Sequence, residues 1–166
     1  MANTNGTHTL SILVVNKPGV LVRCAQVFAR RGFNIDALVV SPSVNPKYSR
    51  MTITLQGAPQ ALEQIIKQTS KLIDVIHCCE HSDLDAVDFE VALIKTKLTA
   101  QSRPILLKYA KKHDVKVVSE SEGTMIFRVV GTTKEINDFE SVLKKYGILE
   151  LVRSGKLVMA TGKEET

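Results

Sequence analysis

The chain has 166 residues, a formal net charge of +5 and a hydrophobic fraction of 44%. This length suits one domain or two small ones, and the hydrophobic fraction is ordinary for a globular core. No apolar run approaches membrane-spanning length, and residues 1–8 lack the basic and apolar regions of a signal peptide. We therefore expect neither a membrane segment nor a secretion signal.

The first half of the chain alternates short strands with helices. β-Branched runs and helical apolar spacing predict, in order, a strand at 9–15, a helix at 20–31, strands at 34–41 and 48–56, a helix at 59–71 and a strand at 72–80. This βαββαβ order folds as a four-stranded antiparallel sheet with both helices on one face. The other face must then meet water, a partner chain or a second domain.

The turn Asn16-Lys17-Pro18-Gly19 joins the first strand to the first helix. Pro18 restricts φ at the helix entry, and Gly19 lets the backbone turn sharply. The first N–H groups of a helix lack intrahelical acceptors and favour an anion such as a carboxylate. The turn has neither a dinucleotide fingerprint nor a P-loop. A plain turn without a ligand and a carboxylate site both stay open on this evidence.

The second half repeats the pattern after an acidic linker at 82–88. The predicted elements are a strand at 89–95, a helix at 101–113, strands at 115–119 and 124–130, a helix at 133–146, and strands at 148–152 and 156–160. We therefore predict an α+β fold of two tandem βαββαβ, ferredoxin-like units, with domains at 1–81 and 89–166. The second unit has no Pro-Gly turn after its first strand, so we expect any small-molecule site in the first.

The cysteines and histidines give no pattern that predicts chemistry. Cys24, Cys78 and Cys79 form no disulfide framework, which favours a reducing compartment such as the cytoplasm. His77, Cys79 and His81 would share one face of a strand, but no further ligand cluster accompanies them, so we expect no metal. We find no nucleophile with a nearby base and expect no catalytic residue and no cofactor.

RNA binding is the main competitor that the βαββαβ order and the basic charge suggest. An RNA-recognition motif needs stacking aromatic residues on its third strand. Arg31-Gly32-Phe33 begins like that signature, but it precedes the second strand, and Met51–Leu55 of the third has no aromatic residue. We therefore expect no nucleic-acid partner. The lysines that cluster in the second unit suit either solubility or docking to an acidic partner.

Four stretches of the chain form a characteristic combination in order and spacing. They are Asn16-x-Pro18-Gly19-Val20-Leu21, Phe28-Ala29-x-Arg31-Gly32-Phe33-Asn34-Ile35-Asp36, Ser49-Arg50-Met51-Thr52-Ile53 and, near the end, Arg153-Ser154-Gly155-Lys156-Leu157. The first three together resemble the ACT domain of the acetolactate synthase small-subunit family, and the last is similar to that family's closing Arg-Ser/Thr-Gly stretch. The resemblance covers most of the chain and is densest before residue 80.

The resemblance implies a non-catalytic regulatory subunit. Such a subunit docks on the catalytic (large) subunit of the thiamine-diphosphate-dependent acetolactate synthase, raises its activity and confers feedback inhibition by valine in branched-chain amino acid biosynthesis. The resemblance further implies a homodimer in which two ACT domains pair side by side and bind the amino acid at their seam. The second unit would support the dimer, dock or tune the response.

The resemblance also implies which residues bind the effector. The backbone around Gly19, Val20 and Leu21, shaped by Pro18, would hold the valine carboxylate, with Asn16 as a polar wall. Two residues of the partner copy, Asn34 and Ile35, would reach the amino group and the side chain of the ligand. The alternative is a free-standing ACT amino-acid sensor for another enzyme. The expected location is the cytoplasm, or a plastid for a processed eukaryotic chain.

Overall fold

The computed structural model of the chain describes residues 6–81 and 86–163. These residues form two compact units, of which the second is Phe89–Ser154. The first contains residues 6–81, 86–88 and 155–163. The predicted division at 1–81, 82–88 and 89–166 stays a prediction, and residues 82–85 of the predicted linker lie outside the described residues.

The first unit has the predicted βαββαβ order. Its elements are β1 (Gly6–Val15), α1 (Val20–Arg30), β2 (Ala37–Pro42), β3 (Tyr48–Gly57), α2 (Pro59–Thr69) and β4 (Val75–His81). The strands form an antiparallel sheet in the order β2-β3-β1-β4. Both outer strands, β2 and β4, are therefore edges of this sheet.

One face of this sheet packs against both helices. Leu10, Ile12 and Val14 alternate along β1 and are at most 1% exposed, as the two-residue period of a strand requires. Val20, Cys24 and Phe28 recur every four residues on α1 and are at most 2% exposed, as are Leu62 and Ile65 of α2. These side chains form one core with the inward residues of β3 and β4.

The second face of the sheet is also buried at its centre. Ser11 of β1 is 1% exposed, and Thr52, its partner on β3, is 7% exposed. Residues 155–163, here called the closing segment, contribute to this burial, because Gly155 lies directly against β2. A Cβ atom built on Gly155 would be 2.8 Å from the Cβ of Ala37 and 3.6 Å from Cγ2 of Val39. Residues from the far end of the chain thus complete the first unit.

The second unit repeats the order, and its elements are β5 (Ala86–Lys97), α3 (Ser102–Lys112), β6 (Lys116–Ser121), β7 (Thr124–Gly131), α4 (Thr133–Lys144) and β8 (Ile148–Arg153). The first three residues of β5 and the last strand, β9 (Leu157–Ala160), belong to the first unit. The sheet order is β6-β7-β5-β8, and β9 pairs with β5. Buried residues of β5, β7, α3 and α4 form its core, where Phe127 and Phe139 meet edge to face. The predicted tandem βαββαβ fold is confirmed.

Four predicted strand starts differ from the structure by three residues. The first strand of each half begins earlier than predicted, at Gly6 and at Ala86, so residues 86–88 of the predicted linker are part of a strand, and two other strands begin later. Phe33, Asn34 and Ile35 precede the second strand, which begins at Ala37. The chain leaves α1 through Gly32 at φ +72°, and the Phe33 ring must first reach Gly57 on β3. The last strand of the first unit begins at Val75 rather than at residue 72, because Val75 N–H still closes a turn on the Leu72 carbonyl at 3.0 Å.

Candidate functional site

The turn between β1 and α1 is held at its base by two neighbouring loops. Asn16 donates its backbone N–H to the Lys47 carbonyl at 2.8 Å and its side-chain amide to the Pro46 carbonyl at 3.0 Å. Val15 N–H donates to the Asp74 carbonyl at 2.9 Å. Asn16 therefore fixes the turn to the β2–β3 loop, and its amide is already engaged there.

Gly19 gives the turn its shape. It occupies the N-cap position of α1 at φ 83° and ψ −11°, a left-handed conformation that glycine adopts without a steric penalty. No side chain caps this helix, and its first turn contains no acidic residue. The Val20 N–H makes a long hydrogen bond, 3.4 Å, to the Lys17 carbonyl. The start of α1 thus presents donors that an anion could use.

Arg23 lies beside this turn as half of an ion pair, and it is not among the site residues predicted from the sequence. Its guanidinium bonds Asp74 through Nε at 2.8 Å and Nη2 at 2.7 Å. Its Nη1 lies 3.1 Å from where a Cβ of Gly19 would be. The sequence signal was available, because residues i and i+4 share a helix face and helical side chains lean toward the N-terminus.

The predicted site residues fall into two groups within one chain. Asn16, Pro18, Gly19, Val20 and Leu21 come together in the turn, where all but Val20 are exposed. Asn34 and Ile35 lie beyond the other end of α1, whose 11 residues span about 16 Å. One copy therefore does not bring the two groups together.

The second group, Asn34 and Ile35, is only partly available to a ligand. Asn34 is exposed, and its amide nitrogen donates to Oδ1 of Asp36 at 3.2 Å. Ile35 is half-buried and packs against the core of the first unit. Asn34 thus presents a polar group at the surface, whereas Ile35 shapes the backbone that carries it.

The strand β4 shows the predicted alternation of histidine and cysteine. His77, Cys79 and His81 stand opposite Leu13, Ser11 and Thr9 of β1, on the face away from the helices. The Sγ of Cys79 lies 3.6 Å from Nε2 of His81. Within residues 6–81 and 86–163, no three His, Cys, Asp or Glu side chains are grouped closely enough to hold a metal ion.

The surface of β3 that faces away from the helices carries Arg50, Thr52 and Thr54. None of these three side chains is aromatic, and Tyr48, which shares their face, lies at the first position of the strand, so the centre of β3 lacks the stacking platform of an RNA-recognition motif. In the described part of the chain, no helix has the length and apolar character required to cross a membrane.

Comparisons with known proteins cover both units. The family described as AHAS small subunit-like ACT domain matches residues 10–77, and the family described as small subunit of acetolactate synthase matches residues 89–162. The acetolactate synthase small subunit of Mycolicibacterium smegmatis is 40% identical over 162 residues, which are 98% of this chain and 95% of that protein. A probable acetolactate synthase small subunit of Archaeoglobus fulgidus is 37% identical, over 95% of this chain and 99% of that one.

A solved structure agrees with these relatives. The crystal structure of the acetolactate synthase small subunit from Thermotoga maritima superimposes with a TM-score of 0.84 at 32% identity, covering 96% of this chain and 99% of that chain. The similarity therefore extends through both units and is not confined to the ACT domain. The chain belongs to the acetolactate synthase small-subunit family, and its first unit is the ACT domain of that family.

Proposed function

We propose that this chain regulates a thiamine-diphosphate-dependent acetolactate synthase without catalysing a reaction itself. It docks on the catalytic subunit, raises its activity and makes the enzyme sensitive to valine. The single observation that carries this proposal is the match to small subunits along nearly the whole chain. The bacterial and archaeal relatives support a cytoplasmic location.

The effector site that we propose begins at the turn before α1. The carboxylate of valine accepts hydrogen bonds from the backbone N–H groups around Gly19, Val20 and Leu21. The uncapped start of α1 supports this, since its donors have either no intrahelical acceptor or only a long contact. Arg23 beside Gly19 is paired with Asp74, so the attraction for an anion comes from the backbone donors at the start of the helix.

The second half of the site comes from another copy of the chain in our proposal. Because Asn34 and the Gly19 turn lie at opposite ends of α1, two ACT domains related by a two-fold axis can each bring Asn34 to the partner's turn. Exposed apolar residues on α1 and on the edge strand β2 support such a seam, since Val22 is 58% and Val40 is 42% exposed.

Binding and dimerisation are then linked. A ligand that touches both copies binds the paired arrangement better than the separate one, so valine strengthens the pairing. Regulation is the coupling between this seam and the catalytic subunit, and it is reciprocal. Docking of the catalytic subunit must therefore alter the affinity for valine by the same factor.

Calorimetric titration of the purified chain with L-valine tests this function, with Asn34→Asp as the site variant. The substitution replaces the amide nitrogen that donates to Asp36 by a carboxylate oxygen, so the two acidic side chains repel each other and residue 34 leaves its position in the seam; we expect the heat of binding to disappear. Gln64→Glu adds the same charge on an exposed position of α2 and should leave binding intact. Activity of the catalytic subunit, measured with each variant and increasing valine, should follow the same pattern.

Three results contradict the proposal in different ways. Absence of heat with valine, leucine and isoleucine removes the effector claim. Equal loss of binding in Asn34→Asp and Gln64→Glu would mean that the ligand does not bind at the predicted seam. No change in the activity of the matching catalytic subunit when this chain is added favours a free-standing sensor.

A further inference from the structure

A groove on the second unit runs along the outer side of α3. It has a volume of about 520 Å³ and is lined by Pro104, Ile105, Lys108, Tyr109 and Lys112. We call these five residues the α3 groove. Leu106 and Ala110 of the same helix are buried in the core, so the groove occupies the opposite side of α3.

The charge of this helix is entirely positive. Residues 102–113 contain three lysines, one arginine and no acidic residue. Arg103 is neutralised by Glu120, which accepts two hydrogen bonds from it at 2.7 and 3.2 Å. In contrast, Lys108, Lys111 and Lys112 take part in none of the ion pairs found in the described part of the chain.

The floor of the groove is apolar. Ile105 is 44% exposed, which leaves a large aliphatic side chain in water beside Pro104 and the half-buried ring of Tyr109. Lys145, the residue that follows α4, places its Nζ 5.9 Å from the centre of that ring and adds a further cation at the edge. An apolar centre with a charged rim is the arrangement of protein–protein interfaces, where aliphatic and aromatic anchors are surrounded by polar groups.

We propose that the α3 groove is a docking surface for an acidic protein segment that carries a bulky apolar side chain. The apolar side chain contacts Ile105 and Tyr109, and its acidic neighbours pair with Lys108 and Lys112. The inference rests on the proposed function, since it assigns this segment to the catalytic subunit. Charge complementarity carries it: three clustered lysines repel one another until an acidic partner offsets them.

A nucleic acid fits this groove less well than a protein does. RNA binding to a single strand relies on exposed aromatic faces on which bases stack. Tyr109 is half-buried and a lysine already lies above its ring, so this face is not open to a base. The exposed aliphatic Ile105 has no counterpart in such a site, whereas it suits an apolar side chain of a protein.

The test measures association between the full-length chain and its catalytic subunit by biolayer interferometry. The groove variant is Lys108→Glu/Lys112→Glu, and the matched control is Lys134→Glu/Lys163→Glu, which changes the net charge equally at two exposed positions. A third variant, Ile105→Asn, removes the apolar anchor without changing charge. Circular dichroism and valine titration of each variant establish that it is folded.

We expect the groove variant to weaken association by about tenfold or more and Ile105→Asn by a smaller factor, with the control unchanged. Wild-type association should also weaken as salt increases. If both groove variants associate with the catalytic subunit as the wild type does, the α3 groove is not the docking surface, and the proposed function stays intact. Failure of the wild-type chain to bind or activate the catalytic subunit overturns the proposed function and this inference together. If the wild type and the control bind a fluorescent single-stranded RNA and the groove variant does not, the occupant of the groove is a nucleic acid and the proposal of a protein partner is wrong.

Discussion

Arg153 donates two hydrogen bonds to one carboxylate oxygen of Glu90, from Nε at 3.0 Å and from Nη2 at 2.6 Å. Glu90 is only 5% exposed, and its other oxygen accepts a hydrogen bond from the hydroxyl of Thr133. The remaining guanidinium nitrogen of Arg153 bonds Asn137 at 2.7 Å. The arginine of the closing stretch thus ties the end of β8 to β5 and α4 and leaves the buried carboxylate fully paired.

Removal of this arginine should destabilise the second unit strongly. Arg153→Met leaves Glu90 buried without its counterion, which costs about 3 kcal/mol of unfolding free energy. Urea denaturation measures the loss. The double variant Arg153→Met/Glu90→Gln should recover part of it, because the uncompensated charge is gone. If the double variant loses as much as the sum of both single variants, the two side chains do not act as a pair.

Arg103→Met is the matched control for that experiment. Arg103 also makes two hydrogen bonds to a carboxylate, Glu120, but its side chain is 52% exposed. Water solvates both groups when the pair is broken, so the loss of stability should be much smaller than for Arg153. A loss as large as that of Arg153→Met would show that burial does not set the difference.

Gly155→Ala should destabilise the first unit, because Gly155 packs against β2, a strand far from it in sequence. Its φ of +80° disfavours any residue with a Cβ, and the added methyl group would meet Ala37 at 2.8 Å. The conformational strain and the overpacking together should cost about 2–4 kcal/mol. Thermal unfolding followed by circular dichroism measures this loss.

Gly32→Ala separates the two contributions. Gly32 also has a positive φ, +72°, but a Cβ there has no neighbour within 4 Å. This variant should therefore lose only about 1 kcal/mol. Equal losses for Gly155→Ala and Gly32→Ala would mean that the closing segment is not packed against β2.

The difference between these two glycines illustrates what the sequence could predict. The strands and helices follow from local spacing: Leu10, Ile12 and Val14 alternate, and Val20, Cys24 and Phe28 recur every fourth residue. Such patterns depend only on which neighbours share a face. The closing stretch, residues 153–157, showed a family resemblance, but it did not explain why position 155 is a glycine. The explanation is the contact with Ala37, which is distant in sequence and which no local pattern encodes.

The effector turn was predictable to a similar extent. The Pro18-Gly19 pair between a strand and a helix predicts a tight turn with free donors, and the structure has that turn. The start of β2 was predicted too early, because the ring of Phe33 must reach Gly57 before the chain can pair with β3. The i, i+4 spacing from Gly19 could have identified Arg23, but its ion pair could not be predicted, because the partner, Asp74, lies in a distant loop.

The buried thiol of Cys78 should make stability depend on pH in the alkaline range. Burial raises its pKa to about 12 from an ordinary value of 9.0. Between these values the unfolded chain releases the proton and the folded chain keeps it. This contribution is therefore fully present below pH 9 and is lost as the pH rises toward 12, at up to about 1.4 kcal/mol per pH unit.

Cys78→Ala tests that dependence when unfolding free energy is measured between pH 8 and 10.5. The variant is less stable at pH 8 because it loses core contacts, but its stability should fall less steeply above pH 9 than that of the wild type. Thr69→Ala, a fully buried truncation in the same unit, should keep the wild-type slope since it removes no titrating group. Parallel curves for all three proteins would contradict the assignment to Cys78.

Gly19→Ala tests the turn on which the proposed effector site depends. The left-handed φ of +83° is strained for alanine, and the new methyl group would lie 3.1 Å from Nη1 of Arg23. Both effects displace the first N–H groups of α1 from the positions at which they meet the carboxylate. We expect valine to bind about tenfold more weakly, the equivalent of about 1.4 kcal/mol.

Gly162→Ala is the control for valine binding. Gly162 belongs to the same unit, has a φ of +74° and offers a Cβ no neighbour within 4 Å. The alanine variant therefore carries similar backbone strain at a position outside the turn, and its affinity for valine should equal that of the wild type. Calorimetric titration of the three proteins side by side measures the difference. Equal weakening in both variants would attribute the effect to general loss of stability, whereas unchanged binding in Gly19→Ala would show that the carboxylate does not meet the start of α1.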